Sequence, residues 1–459
     1  MKPVTHMGDK TTGPTVEGCA STLIVGLGQT GLSCARYLHA RGIDFAVVDS
    51  RDEPPGLEAL RSECPQVPVS TGGFNARAIA TAECLILSPG VSLRETSIAQ
   101  ALGAGKVVFG DIEMFAGVVS APVVAITGSN GKSTVTTLLG DMAERAGLSV
   151  RVGGNLGPPA LDLIETDEPD LYVLELSSFQ LETTYSLDAA AAVALNVSPD
   201  HMDRYDNFAA YLKAKSRIYR GTGVAVVNRD DEHTRDLVKD DREVVRFTMS
   251  APECDEFGIL GEGAQAHLGF GNKRLMPVEE IALAGRHNVA NALAALALGY
   301  SVGLEWEPML GALRSFGGLA HRCELVRNHN GVRWYNDSKA TNVGATVAAI
   351  EGMASAGPLV LIAGGDAKSA DFSAMRSAFR ATFRSVILLG RDAHNIAEVV
   401  ASHNPCEKVN DMRAAVQLAE KHAQPGDVVL LSPACASYDM YENYQQRGED
   451  FAHLVRELR

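Results

Sequence analysis

Cysteine is sparse: eight residues in 459, none of them in a Cys-x-x-Cys pair. Cys19, Cys34, Cys64, Cys84, Cys254, Cys323, Cys406 and Cys435 therefore read as reduced thiols of a cytosolic protein rather than as a disulfide framework. Positive charge is also in deficit, since 41 Lys and Arg face 56 Asp and Glu and leave a net charge of −15. That excludes nonspecific attraction to nucleic acid or anionic lipid, and it leaves any anionic ligand to local cations and helix N-termini. No apolar run reaches 18 residues. The longest, Val289 to Leu304, is interrupted by Asn291, Tyr300 and Ser301 and has helical spacing, so it reads as a packed helix. The first 20 residues lack the basic start and apolar core of a secretion leader and read as a loose tail. Short-period repeats and low-complexity tracts are missing too. The expectation is a cytoplasmic monomer without nucleic-acid or membrane partners.

What is present is a globular composition, 46% hydrophobic and 21% charged, at a length that suggests about three domains. Short apolar runs alternate with amphipathic segments, the signature of α/β layers. Strands are expected at Thr22–Gly26, Phe45–Asp49, Cys84–Ser88, Pro122–Thr127, Leu171–Leu176, Ala191–Val197 and Val224–Asn228. A further series follows at Val332–Asn336, Leu359–Ala363, Val386–Leu389 and Val428–Ser432, with helices at Asn342–Gly352 and Asp411–His422. The spacing of Val135, Leu138, Leu139, Met142, Ala143 and Ala146 predicts a helix over 132–146 with one buried face. The fold class is α/β in three tandem domains: a Rossmann-like one over 21–110, a P-loop ATPase-like one over 111–318 and a second Rossmann-like one over 319–459.

Three groups of motifs carry chemistry. Gly26-Leu27-Gly28-Gln29-Thr30-Gly31 follows a strand and opens a helix, and Asp49 ends the next strand 18 residues later. Glycines there let backbone N–H groups approach a diphosphate at a helix N-terminus. Thr127-Gly128-Ser129-Asn130-Gly131-Lys132-Ser133-Thr134 is the more specific phosphate loop, although Ile126 takes the place of the usual first glycine. Its Lys132 supplies charge to a β/γ-phosphate and its Ser133 hydroxyl suits Mg²⁺. Glu175 and His201 end neighbouring strands and read as partners of that loop, the carboxylate as a metal ligand. Lys213, Lys215 and Arg217, taken alone, read as a solvated basic face. In the last series, Asn336 to Asn342, Gly364 to Ser369 and Ser432 to Ser437 place hydroxyls and lysines where helices begin, which suits a carboxylate or phosphate.

Taken together, Ala125 to Thr134, Leu174-Glu175-Leu176-Ser177-Ser178-Phe179-Gln180-Leu181-Glu182-Thr183 and Asp200-His201-Met202-Asp203-Arg204-Tyr205 resemble the Mur ligases. Asn336 to Asn342 resembles the D-glutamate-adding branch. The resemblance implies an amide ligase of peptidoglycan synthesis that consumes ATP and joins D-glutamate to UDP-N-acetylmuramoyl-L-alanine through an acyl phosphate. It implies that Gly128, Ser129, Asn130, Gly131, Lys132, Ser133, Thr134, Asn291, Arg322, Asp337 and Lys339 contact nucleotide. It implies two Mg²⁺ sites, served by Ser133, Glu175, His201 and a CO₂-derived carbamate on Lys215, which overturns the bland reading of that lysine. Lys132, His201, Lys215 and Lys339 are implied as catalytic. Gln29, Thr30, Asp49, Ser50, Arg51, Gly90 and Asn155 are implied to hold the UDP substrate, and Thr341, Lys368, Ser437, Tyr438 and Tyr444 the D-glutamate. The chain departs from the family pattern at Gln29, Ser50, Ala367, Tyr438 and Tyr444. A nicotinamide dehydrogenase, a nucleotide-dependent switch and a folate-directed γ-glutamyl ligase are the competing readings. The first two leave the last series of motifs unexplained, and Asn336 to Asn342 speaks against the third.

Overall fold

A computed structural model describes residues 13–16, 18–238, 242–283, 285–354, 356–367, 370–379, 383–400 and 406–458. The chain forms two compact units, one of residues 1–197, 204–276 and 293–312, the other of 198–203, 277–292 and 313–459.

Among its described residues the first unit holds two sheets. Strands β1 (Thr22–Val25), β2 (Phe45–Val48), β3 (Val69–Ser70), β4 (Cys84–Leu87) and β5 (Val107–Phe109) form a parallel sheet in the order β3-β2-β1-β4-β5. β1 and β4 are buried along their whole length because helices cover both faces, which is why they read as unbroken apolar runs. The order reverses between β1 and β4, so a crevice opens beyond their carboxyl ends.

The second sheet contains β6 (Val123–Thr127), β7 (Val150–Gly154), β8 (Leu171–Glu175), β9 (Ala191–Ala194), β10 (Val224–Asn228), β11 (Val244–Phe247), β12 (Glu256–Leu260), β13 (His267–Phe270) and β14 (Lys273–Pro277). Its order is β14-β13-β12-β11-β10-β9-β6-β8-β7, with β13 antiparallel to β12. The chain passes from β6 to the β7 edge and returns on the other side at β9, so the switch point lies at β6 and its following loop. One apolar core runs through both sheets, from Ile24 and Leu38 through Phe109 and Phe115 to Tyr172 and Leu174. The Phe115 and Tyr172 rings meet edge to face at 5.0 Å.

The second unit carries β15 (Glu324–His329), β16 (Val332–Asn336), β17 (Leu359–Ala363), β18 (Phe383–Leu388), β19 (Cys406–Lys408) and β20 (Val428–Leu431) in the order β15-β16-β20-β17-β18-β19. β20 slots between β16 and β17, so their three carboxyl ends lie side by side. Asn342 and Asp411, expected inside helices, instead cap them: each side chain accepts the backbone N–H of the residue three positions on.

Two expectations need correction. Cys19 and Cys84, read as separate thiols, lie side by side with their Cα atoms 6.0 Å apart. A spacing of 65 residues gives a sequence no sign of such a pair. The described part of the tail is also held: the Ala20 N–H donates to Glu83, and Gly13 and Pro14 lie beside Tyr185 and Ser186.

Candidate active site

All seven residues expected to hold the UDP substrate line one cleft of about 650 Å³ beyond β1 and β4. Gly31, in the first turn of the helix Gln29–Ala40, lies so close to the Gly26 carbonyl that a Cβ there would collide with it. Asp49, at the end of β2, is buried and gathers four donors: Leu27 N–H at 2.6 Å, Arg51 N–H at 2.9 Å, and Arg51 Nε and Nη2 at 2.9 and 2.7 Å. Burial opposes its charge, but the Arg51 guanidinium and the two backbone N–H groups outweigh burial and hold its carboxyl below the usual range. Arg51, half exposed, is thereby aimed along the cleft wall.

The second loop is built on β6. Gly131 sits at φ +83°, a left-handed conformation that favours glycine, and hands the chain into the helix Lys132–Arg145. Asn196 fixes the loop's backbone: its carbonyl accepts Ser129 N–H at 2.8 Å, and its side chain pairs with the N–H and carbonyl of Asn130 at 2.9 and 3.1 Å. Lys132 Nζ donates to the carbonyls of Gly128 and Ser129, at 2.8 and 2.9 Å. Lys215, in the helix Phe208–Ser216, is 2% exposed and donates to the same Gly128 carbonyl at 2.8 Å. Of the basic residues on this segment only Lys215 is buried, and Lys213 stays exposed. The Tyr211 ring lies under the Lys215 ammonium at 4.8 Å, and its hydroxyl reaches Ser129 Oγ at 3.1 Å.

One carboxylate joins loop and cleft. Glu175 at the end of β8 is buried; its Oε2 accepts Ser133 Oγ at 2.5 Å, and its Oε1 accepts Asn155 Nδ2 at 2.6 Å. Gln180, also lining the cleft, closes a capping box with Ser177 and donates through Nε2 to the buried Asp111 at 3.2 Å.

In the second unit, His201 takes a left-handed φ of +56°, and Asp200 stands beside it, 3.7 Å from Nε2 and bonded to its backbone N–H. Asn342 Nδ2 donates to the same Asp200 at 3.2 Å. Asn291 donates to Asn288 at 3.0 Å within the helix Arg286–Ser301. Asp337, following β16, accepts Ser432 Oγ at 2.8 Å and Cys323 N–H at 3.2 Å. Burial pushes its carboxyl up to about 7, against the pull of Ser432, Cys323 and the Arg322 charge. Lys339 Nζ lies 4.0 Å from the centre of the Tyr444 ring, and its backbone N–H donates to the His321 carbonyl. Thr341 N–H donates to the Lys339 carbonyl at 2.7 Å. Ser437 is buried and Tyr438 is exposed. Lys368 lies outside the described residues.

Sequence reading missed several of these neighbours. Asn196, Tyr211 and Gln180 hold the first unit's loops. In the second, Arg447 Nε and Nη2 donate to the hydroxyl and carbonyl of Ser338, at 3.0 and 2.9 Å. Arg447 sits in a helix whose local pattern is merely amphipathic, so nothing nearby in sequence marks it. Among the described residues no three His, Cys, Asp or Glu side chains form a metal cluster. Ser133 and Glu175 nonetheless offer the hard oxygen donors that Mg²⁺ prefers.

Known proteins fit this geometry. Residues 20–110 match "Mur ligase MurD-like, N-terminal domain", 126–299 match "Mur ligase middle domain" and 321–435 match "Mur ligase, glutamate ligase domain". The chain is 56% identical over 439 residues to UDP-N-acetylmuramoylalanine–D-glutamate ligase of Nitrosococcus oceani, covering 96% of this chain and 97% of that one. It is 52% identical over 438 residues to the protein of that name from Pseudomonas aeruginosa, covering 95% and 98%. A solved UDP-N-acetylmuramate–alanine ligase from Thermotoga maritima shares the fold, with a TM-score of 0.59, 19% identity and coverage of 95% and 99%. With relatives this similar along nearly its whole length, the chain belongs to the Mur ligase family.

Proposed function

We propose that the protein ligates D-glutamate to UDP-N-acetylmuramoyl-L-alanine at the expense of ATP, as a cytoplasmic monomer supplying peptidoglycan precursor. The division of labour follows the boundaries near residues 110 and 318. The observation that carries the reading is Glu175, whose two oxygens are held by Ser133 of the phosphate loop and Asn155 of the nucleotide-sugar cleft. A nucleotide sugar lying in the cleft with its far end at Asn155 brings its carboxylate to the loop that holds the triphosphate.

The substrate carboxylate attacks the γ-phosphorus of ATP, and ADP leaves. The resulting acyl phosphate is attacked by the D-glutamate amine, and inorganic phosphate departs. Activation turns a poor leaving group into a good one, and the protein's part is mainly positioning and charge. The N–H groups of the 128–134 loop and Lys132 cradle the β- and γ-phosphates. Ser133 and Glu175 would hold one Mg²⁺, which when bound offsets the charge on the transferring group. His201 and Lys215 are the proposed ligands of a second.

Two ammonium groups, those of Lys132 and Lys215, converge on one carbonyl. Their mutual repulsion is relieved by an incoming triphosphate, and further if Lys215 becomes a carbamate and exchanges a cation for an oxygen ligand. In the second unit, Asn291, Arg322, Asp337 and Lys339 serve the nucleotide. Thr341, Ser437, Tyr438 and Tyr444, with Lys368, serve D-glutamate.

Phosphate release from ATP, measured with each substrate omitted in turn, tests the reading. Turnover is expected only with UDP-N-acetylmuramoyl-L-alanine and D-glutamate together, and L-glutamate should be inert. Turnover with a folate, or hydride transfer to a nicotinamide, would overturn it. Lys215→Ala should lose turnover and recover part of it in acetate. Loss without recovery removes the carbamate and leaves the ligase.

A further inference from the structure

The turn that follows β4, residues 88–91, forms one wall of the nucleotide-sugar cleft. It is tied at its base: Ser88 N–H donates to the Val25 carbonyl, Ser88 Oγ to the Gly26 carbonyl and Val91 N–H to the Ser88 carbonyl. None of these bonds sets the outer carbonyls of the turn. A single side chain does. Arg204 Nη1 donates to the carbonyls of Pro89 and Gly90 at 3.2 and 3.4 Å, and its Nη2 donates to that of Val91 at 2.8 Å. The guanidinium lies over the Phe179 ring at 4.3 Å and 3.5 Å from Glu182, largely out of solvent. In return, Arg94 donates to the Arg204 carbonyl at 3.3 Å and pairs with Asp206 at 2.9 Å. The two segments are clasped by arginines reaching in opposite directions.

Resting on the reading of this cleft as the nucleotide-sugar site, we propose that Arg204 is a positioning residue for that substrate, its guanidinium fixing the peptides of the 89–91 turn through three successive carbonyls. Because a trans peptide points its carbonyl and N–H in opposite directions, drawing the carbonyls of Pro89 and Val91 toward Arg204 turns the N–H groups of Gly90 and Ser92 the other way. Both residues line the cleft, so their N–H groups stand ready to donate to the polar nucleotide sugar. A planar fork with fixed N–H directions can hold three carbonyls in one arrangement, whereas an ammonium on a flexible stem cannot. The outer pair, Arg94 with Asp206, is exposed on both sides and contributes little.

Calorimetric titration of UDP-N-acetylmuramoyl-L-alanine into the full chain, without ATP or D-glutamate, tests this in wild type, Arg204→Lys and Arg204→Met. Loss of the fork should raise the Kd about tenfold or more in the Met variant, since the neutral stem leaves three carbonyls unpaired. The Lys variant should fall in between. The KM for ATP should stay near wild type in both, while the Met variant, which also strips Glu182 of its partner, should melt lower. An unchanged Kd in the Met variant overturns the proposal, as does a Kd that rises only together with the ATP KM. Wild type that fails to bind the nucleotide sugar at all refutes the underlying reading of the cleft, a result no Arg204 variant can mimic.

Discussion

The loops after β1 and β6 are the same device with different contents. Each leaves the carboxyl end of a buried parallel strand at a switch point and enters a helix through glycine. After β1, the nearest charges are Asp49 and Arg51, paired with each other, so the loop offers backbone N–H groups in a nearly neutral setting. After β6, two lysines point at one carbonyl, and the nearby carboxylate is held by a hydroxyl and an amide. Backbone geometry alone makes an anion site, and the side chains decide how much charge it accepts. A neutral collar suits a nucleotide diphosphate that carries a sugar and must also be released. Concentrated positive charge suits the triphosphate whose γ-group is transferred.

The comparison breaks most sharply at Lys132. Lys132→Met removes the loop's own cation, and phosphate release should fall by roughly a thousandfold, the scale of a lost transition-state charge contact. Binding of the nucleotide sugar, measured by calorimetry without ATP, should change by less than about twofold. If both fall together, the two loops are not independent sites.

The converse change is Asp49→Ala. It strips a buried acceptor from Leu27 and Arg51 and unpins the collar. The KM for the nucleotide sugar should rise by about ten- to a hundredfold, the span expected for a broken buried charge pair at a ligand site. The KM for ATP should hold. An unchanged nucleotide-sugar KM would mean that Asp49 braces the fold alone.

Both loops were legible because each compresses its chemistry into a few adjacent residues between a strand and a helix. The seven cleft residues and the Ser133–Glu175 pair were legible too, through motifs and family resemblance rather than through spacing. What escaped was what acts across the chain. The burial of Lys215 under Tyr211 and against the Gly128 carbonyl is one such case, although family resemblance had already singled out the residue itself. Arg204, Asn196 and Arg447 work on partners from 66 to 115 positions away, and only tertiary structure supplies those. Strand ends were overextended for a related reason. Leu195 to Val197 are apolar enough to continue β9, yet the chain there turns to let Asn196 grip the phosphate loop. The short β3, the edge β19 and the weakly alternating β11 to β14 lack a strong apolar run and went unread.

The smallest expected effect concerns the brace behind the cleft. Asp111 opens the helix Asp111–Ala116 and is buried; its Oδ2 accepts Gln180 Nε2 at 3.2 Å, while Oδ1 is buried without a hydrogen-bond partner among the described residues. Burial pushes its carboxyl up to about 6, against the pull of the Gln180 amide and the backbone N–H groups at the start of the helix. The sign follows from which state holds the proton. Between the ordinary carboxylate value near 4 and the folded value of about 6, the folded chain keeps a proton that the unfolded chain releases. Stability is therefore lost as pH rises through that window, by about 3 kcal/mol once the group is ionised. Asp111→Asn keeps an acceptor for Gln180 and cannot ionise. Its cost is a buried amide N–H₂ lacking a full set of acceptors, about 1 kcal/mol, which weighs at every pH. The variant should thus melt slightly below wild type at pH 4.5 and a few degrees above it at pH 8, the two curves crossing between. Nucleotide-sugar affinity should change by no more than a few fold, because Gln180 keeps its other anchor at Ser177. Melting curves that run parallel from pH 4.5 to 8 would show that Asp111 is not the group whose charge the cleft's brace suppresses.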